Sequence, residues 1–578
     1  MTIHPSTQTN AGSACQLDHD DFLAGLTFDR AAPAPLRQAA ANGDPAEFLN
    51  QWTRQLNHRI DPSTPPLPRR AFDWIATDSR LSAAWRRSGP LGRSVRPAIL
   101  SQPRARSPLG VISRLEPDAS DGDLLAALDL LSQPASPSQA RRWLTAWRNC
   151  ITLCTTRALS PELAFTAGVL LAPLKGTAGL RRDGKAALQQ ELLEHTDTDG
   201  TPHAELLDDL PEWLGTLVRA RYRGRRFCTS SWNRTARERF DRLVAWTTPL
   251  YRHRNRLAMS GRPARGLGEL LDAANQLTSS SHRPEVTQSD WARVAVLRTN
   301  RSQDAPAVVV THDGPTPRLD VSVKGRSLLQ GDWSIEVTCG SSELALEDWE
   351  CVCWQSDDDA DYIELQADAG HGCRVERQIL LSRADELLVL ADAAIAGPEM
   401  PQEQELACRS SLGLAEGIVA GVARAGRRDW RLAGRGISAR VVPLAVPDDP
   451  LLATGPASIS CHDNRLAWSH QGPGPALYLP LILDFSARRR RRKPDWNSLT
   501  VTEDRQVLSP QQAAGFRVRL GDSQLVLYRS LDKPRSPRSV LGQHTQHETV
   551  IGLLARDGDF APLVLVESPP RGTSPPPR

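Results

Sequence analysis

Near residue 290 the spacing of apolar side chains changes from helical to alternating, and this switch limits the chain more than any other feature. Before it, "SPSQARRWLTAWRNCITLC" places Trp143, Trp147, Cys150, Ile151 and Cys154 on one face at 3.6-residue spacing. Ser136 is expected as the N-cap of that helix, Pro137 as its first residue and Gln139 as the closing side chain of a capping box. Similar amphipathic stretches lie at 45–57, 70–87, 121–132, 161–173, 184–194, 204–222, 235–251 and 266–277. Helices in such a run, with no strand between them, imply stacked helical hairpins in an incomplete toroid or a solenoid. After the switch, Leu319, Val321 and Val323 alternate with Asp320, Ser322 and Lys324, while Trp333, Ile335, Val337 and Cys339 alternate with Ser334, Glu336 and Thr338. More short strands follow at intervals marked by Gly, Pro and Asp, which fits antiparallel sandwich layers rather than βαβ units.

The expected fold is therefore multidomain α+β, an N-terminal incomplete (α/α) toroid followed by a C-terminal antiparallel β-sandwich domain. The expected boundaries are a disordered tail over 1–18, a helical domain over 19–290, a β domain over 291–555 and a Pro-rich tail over 556–578. With 578 residues the chain is too long for a single core.

Charge excludes little by its sum, since the net is +3, but the kind of cation is informative. Only five of the 70 basic residues are lysines (Lys175, Lys185, Lys324, Lys493, Lys533). A GC-rich genome accounts for that bias. Its functional reading is that guanidinium forks suit planar carboxylates and sulfates. The six consecutive cations Arg488 to Lys493 read as an exposed, self-repelling loop that could also grip a polyanion. No aromatic residues interleave with them, so no nucleic-acid partner is expected. No apolar run is long enough to span a bilayer. No secretory signal is visible either, so a cytoplasmic location is expected and the ten cysteines read as reduced and structural. "HTQHE" offers His544 and His547 at a spacing that could hold metal on a helix, but no third ligand accompanies them.

Two segments carry a resemblance. "THDGPTPRLDVSVKGRSLLQGDW" and "HGCRVERQILLSRADELLVLADAA" resemble the β domain of the heparinase II/III-like family of polysaccharide lyases. The matching positions are His312 and Asp313, Gly325 through Asp332, His371, Arg374, Arg377 and Asp392. Upstream, "HTDTDGTPHAELLDDLPEWLGTL" is similar to the family's segment after its catalytic loop, through Asp199, Gly200, His203 and Glu205. The resemblance implies a carbon–oxygen lyase with an acidic, uronate-containing and in some cases sulfated polysaccharide or oligosaccharide as partner, bound in a cleft between the helical and β domains. The metal site of some members would need a pair of histidines and an Asp. "VVVTHDG" supplies one His, so no metal or other cofactor is expected.

β-Elimination at a uronate needs a donor to neutralise the carboxylate, a base for the C5 proton and an acid for the departing O4. The resemblance implies His203 or Asn255 as the neutralising donor, Tyr251 as base and acid, and His312 completing the cleft. Glu205, Asn255, His371, Arg374 and Arg377 would bind substrate. A tyrosine needs cations beside it to act as a base near neutrality, and Arg252, His253 and Arg254 follow Tyr251. Each residue also has a plain reading: His203 as a cap, Tyr251 at the edge of a helical core, His371 in a turn, and His312 in turn chemistry set by Asp313-Gly314. The alternative function is a catalytically degenerate scaffold that binds glycan or supports assembly.

Overall fold

The structure, a computed structural model, describes residues 19–64, 108–230, 232–253, 255–260, 266–279, 287–370, 372–397, 405–449, 451 and 455–567. Two compact units emerge. One holds residues 1–202, 208–248 and 262–283, and the other holds 203–207, 249–261 and 284–578.

The first unit is helical because its caps and apolar stripes agree. Asp44 accepts from the N–H groups of Ala46 and Glu47 to start the helix Pro45–His58. Ser120 and Asp123 form a reciprocal capping box on Asp121–Leu131. In Ala140–Thr155 the expected face of Trp143, Trp147, Cys150, Ile151 and Cys154 is buried. There Trp147 meets Trp52 edge-on at 4.8 Å between centroids and stacks on Trp143 at 5.5 Å. Ser136 does not cap this helix. Its hydroxyl meets that of Ser138 instead, Pro137–Gln139 closes a 3-10 turn, and no capping box forms with Gln139. The expected helix at 204–222 is likewise split into a 3-10 turn, Ala204–Leu206, and a helix, Leu210–Arg226, which restarts with Pro211 in its first turn. The helix expected at 70–87 lies outside the described residues.

A buried ion cluster sits among these helices. Arg219 holds Glu162 through two bonds of 2.8 and 2.7 Å, and Arg223 bridges Glu162 (2.9 Å) and Asp129 (2.6 Å). Burial alone would raise the Glu162 pKa, but the two guanidinium groups overcome it and hold the carboxyl below its usual range.

The second unit is built from antiparallel sheets. A nine-stranded sheet includes Ala307–Thr311, Arg318–Val323, Arg326–Cys339, Glu405–Leu414 and Arg465–Pro473 as successive neighbours around its centre. An eight-stranded sheet includes Ile437–Pro443, Ala476–Asp484, Leu387–Ile395, Arg374–Ser382 and Ala360–Asp368 in that order. Leu319, Val321, Leu329 and Trp333 from the first sheet share one core with Ile363, Leu365, Ile379 and Leu481 from the second. The opposite face of the eight-stranded sheet, with Tyr362, Leu380, Val389 and Ile482, packs on Trp496, Val518 and Leu527 of a five-stranded sheet. The eight-stranded sheet is thus a middle layer. That is why Leu387–Ile395 and Ala476–Asp484 are buried at every position and read as continuous apolar runs.

Two details correct the sequence reading. Phe560–Val566, within the segment expected as a tail, is a strand paired with Thr549–Leu554. His544 lies on the strand Gln543–Thr545, so it and His547 share no helix face. Among the described residues no group of three metal-ligating side chains assembles, and no helix is long and apolar enough to cross a membrane.

Candidate functional site

The two short segments that leave the helical unit, 203–207 and 249–261, bring His203, Glu205, Tyr251 and Asn255 into the same unit as His312. His203 and His312 meet a common support at residues 291–293. The His203 ring packs edge-on against Trp291 at 5.4 Å, and the Ala204 N–H donates to the Ala292 carbonyl at 2.9 Å. The His312 N–H donates to the Arg293 carbonyl at 3.1 Å, while the Arg293 guanidinium donates to the carbonyls of His312 (3.4 Å) and Trp349 (3.0 Å).

The side-chain bonds set two different tautomers. His203 Nδ1 accepts from the Glu205 N–H at 3.4 Å, which leaves the proton of a neutral ring on Nε2. His312 Nδ1 lies 3.2 Å from the Trp349 carbonyl, an acceptor only, so Nδ1 carries the proton and Nε2 the lone pair. His312 is 2% exposed, and its buried Nε2 has no hydrogen-bond partner among the described residues. Burial lowers its pKa, partly offset by the bond to Trp349, so the ring is neutral at neutral pH. One imidazole therefore presents a donor at Nε2 and the other an acceptor.

The His312–Asp313 pair does not sit in a tight turn. Thr311 pairs with Arg318, which leaves a six-residue loop from 312 to 317, and Gly314 keeps an ordinary φ. The Trp349 indole N–H donates to the Pro315 carbonyl at 3.0 Å and holds that loop open. Asp313 faces solvent while His312 faces inward. The tight turn is instead at Lys324-Gly325, where both residues have positive φ (51° and 63°). A Cβ on Gly325 would lie 2.4 Å from the His253 ring, so only glycine lets the Tyr251 segment approach.

Tyr251 is not on a helix, because the helix ends at Leu250, next to Pro249. It opens a small hairpin, Tyr251–Arg252 against Arg256–Leu257, with Asn255 in the left-handed conformation at the turn (φ 58°). Tyr251 itself is half-buried. The cations expected to act on it are engaged elsewhere. Arg252 is buried against Asp320 at 3.2 Å, and His253 Nε2 meets Asp304 at 2.9 Å. Arg254 lies outside the described residues.

The expected substrate-binding residues differ in burial and pairing. Arg377 is fully buried, 2.8 Å from Asp392 and from the Trp333 carbonyl, with its guanidinium over the rings of Trp333 (3.8 Å) and Trp349 (4.7 Å). It faces the core because its strand position alternates inward, and no glycan can reach it there. Arg374 is partly exposed and paired with Glu376 at 2.6 Å. Glu205 is exposed beside His203, and His371 lies outside the described residues. Sequence reasoning missed Trp349, which ties Arg377, the 312–317 loop and His312 together. A tryptophan in "LEDWE" carries no periodic signal.

No family model matches the sequence, and no curated protein matches it. Solved structures do. Heparan sulfate lyase HepC from Pedobacter heparinus aligns with a TM-score of 0.53 at 12% identity, over 90% of this chain and 100% of that one. A mutant of that lyase gives 0.53 at 12% identity, over 88% and 98%. A crystal structure of heparinase III gives 0.48 at 10%, over 89% and 83%. The chain has a divergent heparinase-like fold.

Within this heparinase-like fold, His312 and His470 are both held neutral by burial, against weaker opposing bonds to Trp349 and Tyr478. Their folded pKa values lie below the unfolded one, so below about pH 6.5 the unfolded chain binds more protons. Neither ring affects stability above that range, and both penalise the fold as pH falls through it. The melting temperature is expected to drop between about pH 7 and pH 5.5, and less so in His312→Gln and His470→Gln. An equal slope in all three proteins would contradict the assignment.

Proposed function

We propose that the protein is a polysaccharide lyase that cleaves uronate-containing glycans by β-elimination. In this reading the helical unit is an incomplete (α/α) toroid and the layered unit an antiparallel β-sandwich. His203 donates from Nε2–H to the substrate carboxylate, with Asn255 at the turn of the Tyr251 hairpin as a second polar contact. His312 Nε2 takes the C5 proton, the C4=C5 double bond forms, the C4–O bond breaks, and the Tyr251 hydroxyl protonates the departing O4. The base is assigned to His312 because Asp320 and Asp304 neutralise the cations that would have turned Tyr251 into one. The observation that carries the reading is the pair of imidazoles with opposite Nε2 character on one support, in a fold shared with a heparan sulfate lyase.

A specific observation favours the degenerate scaffold as the second reading: His312 is almost wholly enclosed and must become accessible before it can meet a sugar ring. One experiment separates the two. The full chain is incubated with heparan sulfate, heparin, chondroitin sulfate, hyaluronan and alginate while the ultraviolet absorbance of the unsaturated uronate is followed. Growing absorbance on at least one polymer is the expected result. Binding to a polymer with no absorbance from any of them would select the scaffold.

A further inference from the structure

The cationic run from Arg488 to Lys493 is not idle. With the segment 423–429 and the strands Trp430–Gly434 and Ile437–Pro443 of the eight-stranded sheet, it lines a cavity of about 220 Å³. Seven arginines line that cavity against two aspartates, Asp429 and Asp484. The loop is held in shape from below. Arg440 donates to the backbone carbonyls of Arg492 (2.5 Å) and Arg490 (2.6 Å), and Arg489 binds Asp484 at 2.8 Å.

Both aspartates face arginines, and the buried Asp429 Oδ1 accepts no hydrogen bond among the described residues. Asp429 lies between Arg427 (3.0 Å) and Arg440 (3.4 Å), and Asp484 faces Arg489. Among the described residues no carboxylate pairs with Arg424, Arg431, Arg490 or Arg491. Arg431 stands directly opposite Arg440 across the strand pair, where like charges repel. Arg427 also keeps a buried Nη2 with no hydrogen-bond partner among the described residues. Unpaired guanidinium forks around a concave site, supported by a structured loop, are what a multiply charged oxyanion requires. No aromatic ring lines the cavity, so stacked nucleobases would find no platform.

We propose that this cavity binds the sulfate groups of a sulfated oligosaccharide, through residues none of which belongs to the imidazole site. The choice of a multiply charged oxyanion rests on the cavity alone, and the choice of a saccharide as its carrier rests on the proposed lyase function.

The test is calorimetric titration of the full chain with a heparin-derived tetrasaccharide, its desulfated form, inorganic sulfate and single-stranded DNA of equal charge. Arg431→Gln and the loop variant Arg490→Gln/Arg491→Gln are compared with His312→Gln. Expected is tetrasaccharide binding that weakens at least tenfold in both arginine variants and holds in His312→Gln. Arg431→Gln should melt no lower than the parent chain, because it removes a repulsion. Unchanged binding in both arginine variants would overturn the proposal. So would equal binding of the desulfated sugar or of DNA, or an affinity for inorganic sulfate that matches the tetrasaccharide's. Unsaturated product is read in the same samples; its absence bears on the elimination reading only.

Discussion

Arg377→Ala is expected to destabilise the layered unit by about 3–5 kcal/mol, the usual cost of leaving one partner of a buried ion pair alone. Asp392 is as deeply enclosed as Arg377 and would keep, among the described residues, only the Ser410 hydroxyl as a partner. The substitution also empties the space between Trp333 and Trp349, where the guanidinium now lies. The double variant Arg377→Met/Asp392→Leu should recover most of the loss, because a packed apolar pair carries no desolvation penalty. Arg374→Ala should cost no more than about 1 kcal/mol, as Arg374 is partly exposed and the buried Glu376 keeps Arg529 as a partner. Urea unfolding followed by tryptophan fluorescence reads all three. A loss below about 1 kcal/mol in Arg377→Ala would mean that solvent reaches this pair, and would return Arg377 to the list of residues a substrate could touch.

Under the proposed elimination, His312→Gln is expected to lower turnover about 10²- to 10⁴-fold, the usual contribution of a positioned base. The glutamine amide can still donate to the Trp349 carbonyl, so the loop at 312–317 should hold its shape and KM should change little. The pH profile distinguishes chemistry from scaffolding. In the parent chain the acid limb reports protonation of a histidine whose pKa burial has lowered, so it should fall below the ordinary value of about 6.5. In the variant that limb should vanish along with the rate. Full turnover in His312→Gln, or a lost rate with the limb unmoved, would remove His312 from the reaction and leave it as a support for Trp349.

Some of this was open to sequence reasoning. The 3.6-residue face of Trp143, Trp147, Cys150 and Cys154 marked a helix, and the alternation of Leu319, Val321 and Val323 marked a half-buried strand. The heparinase-like resemblance reached the strands that carry Arg377 and Asp392, yet it assigned Arg377 to substrate when the guanidinium lies between two indoles. Tyr251 had three potential cations beside it in the chain, and the fold gave Asp320 to Arg252 and Asp304 to His253. Ser136 had the letters of a capping box without the geometry of one.

Sequence alone determined the switch from helices to antiparallel strands, because the side-chain period is a local property that neighbouring residues already express. Which charge is paired, which imidazole nitrogen keeps its proton, and which arginines remain without a counter-ion were decided only by the tertiary structure. Those depend on partners tens to hundreds of residues away, and on how completely water is excluded once the layers close.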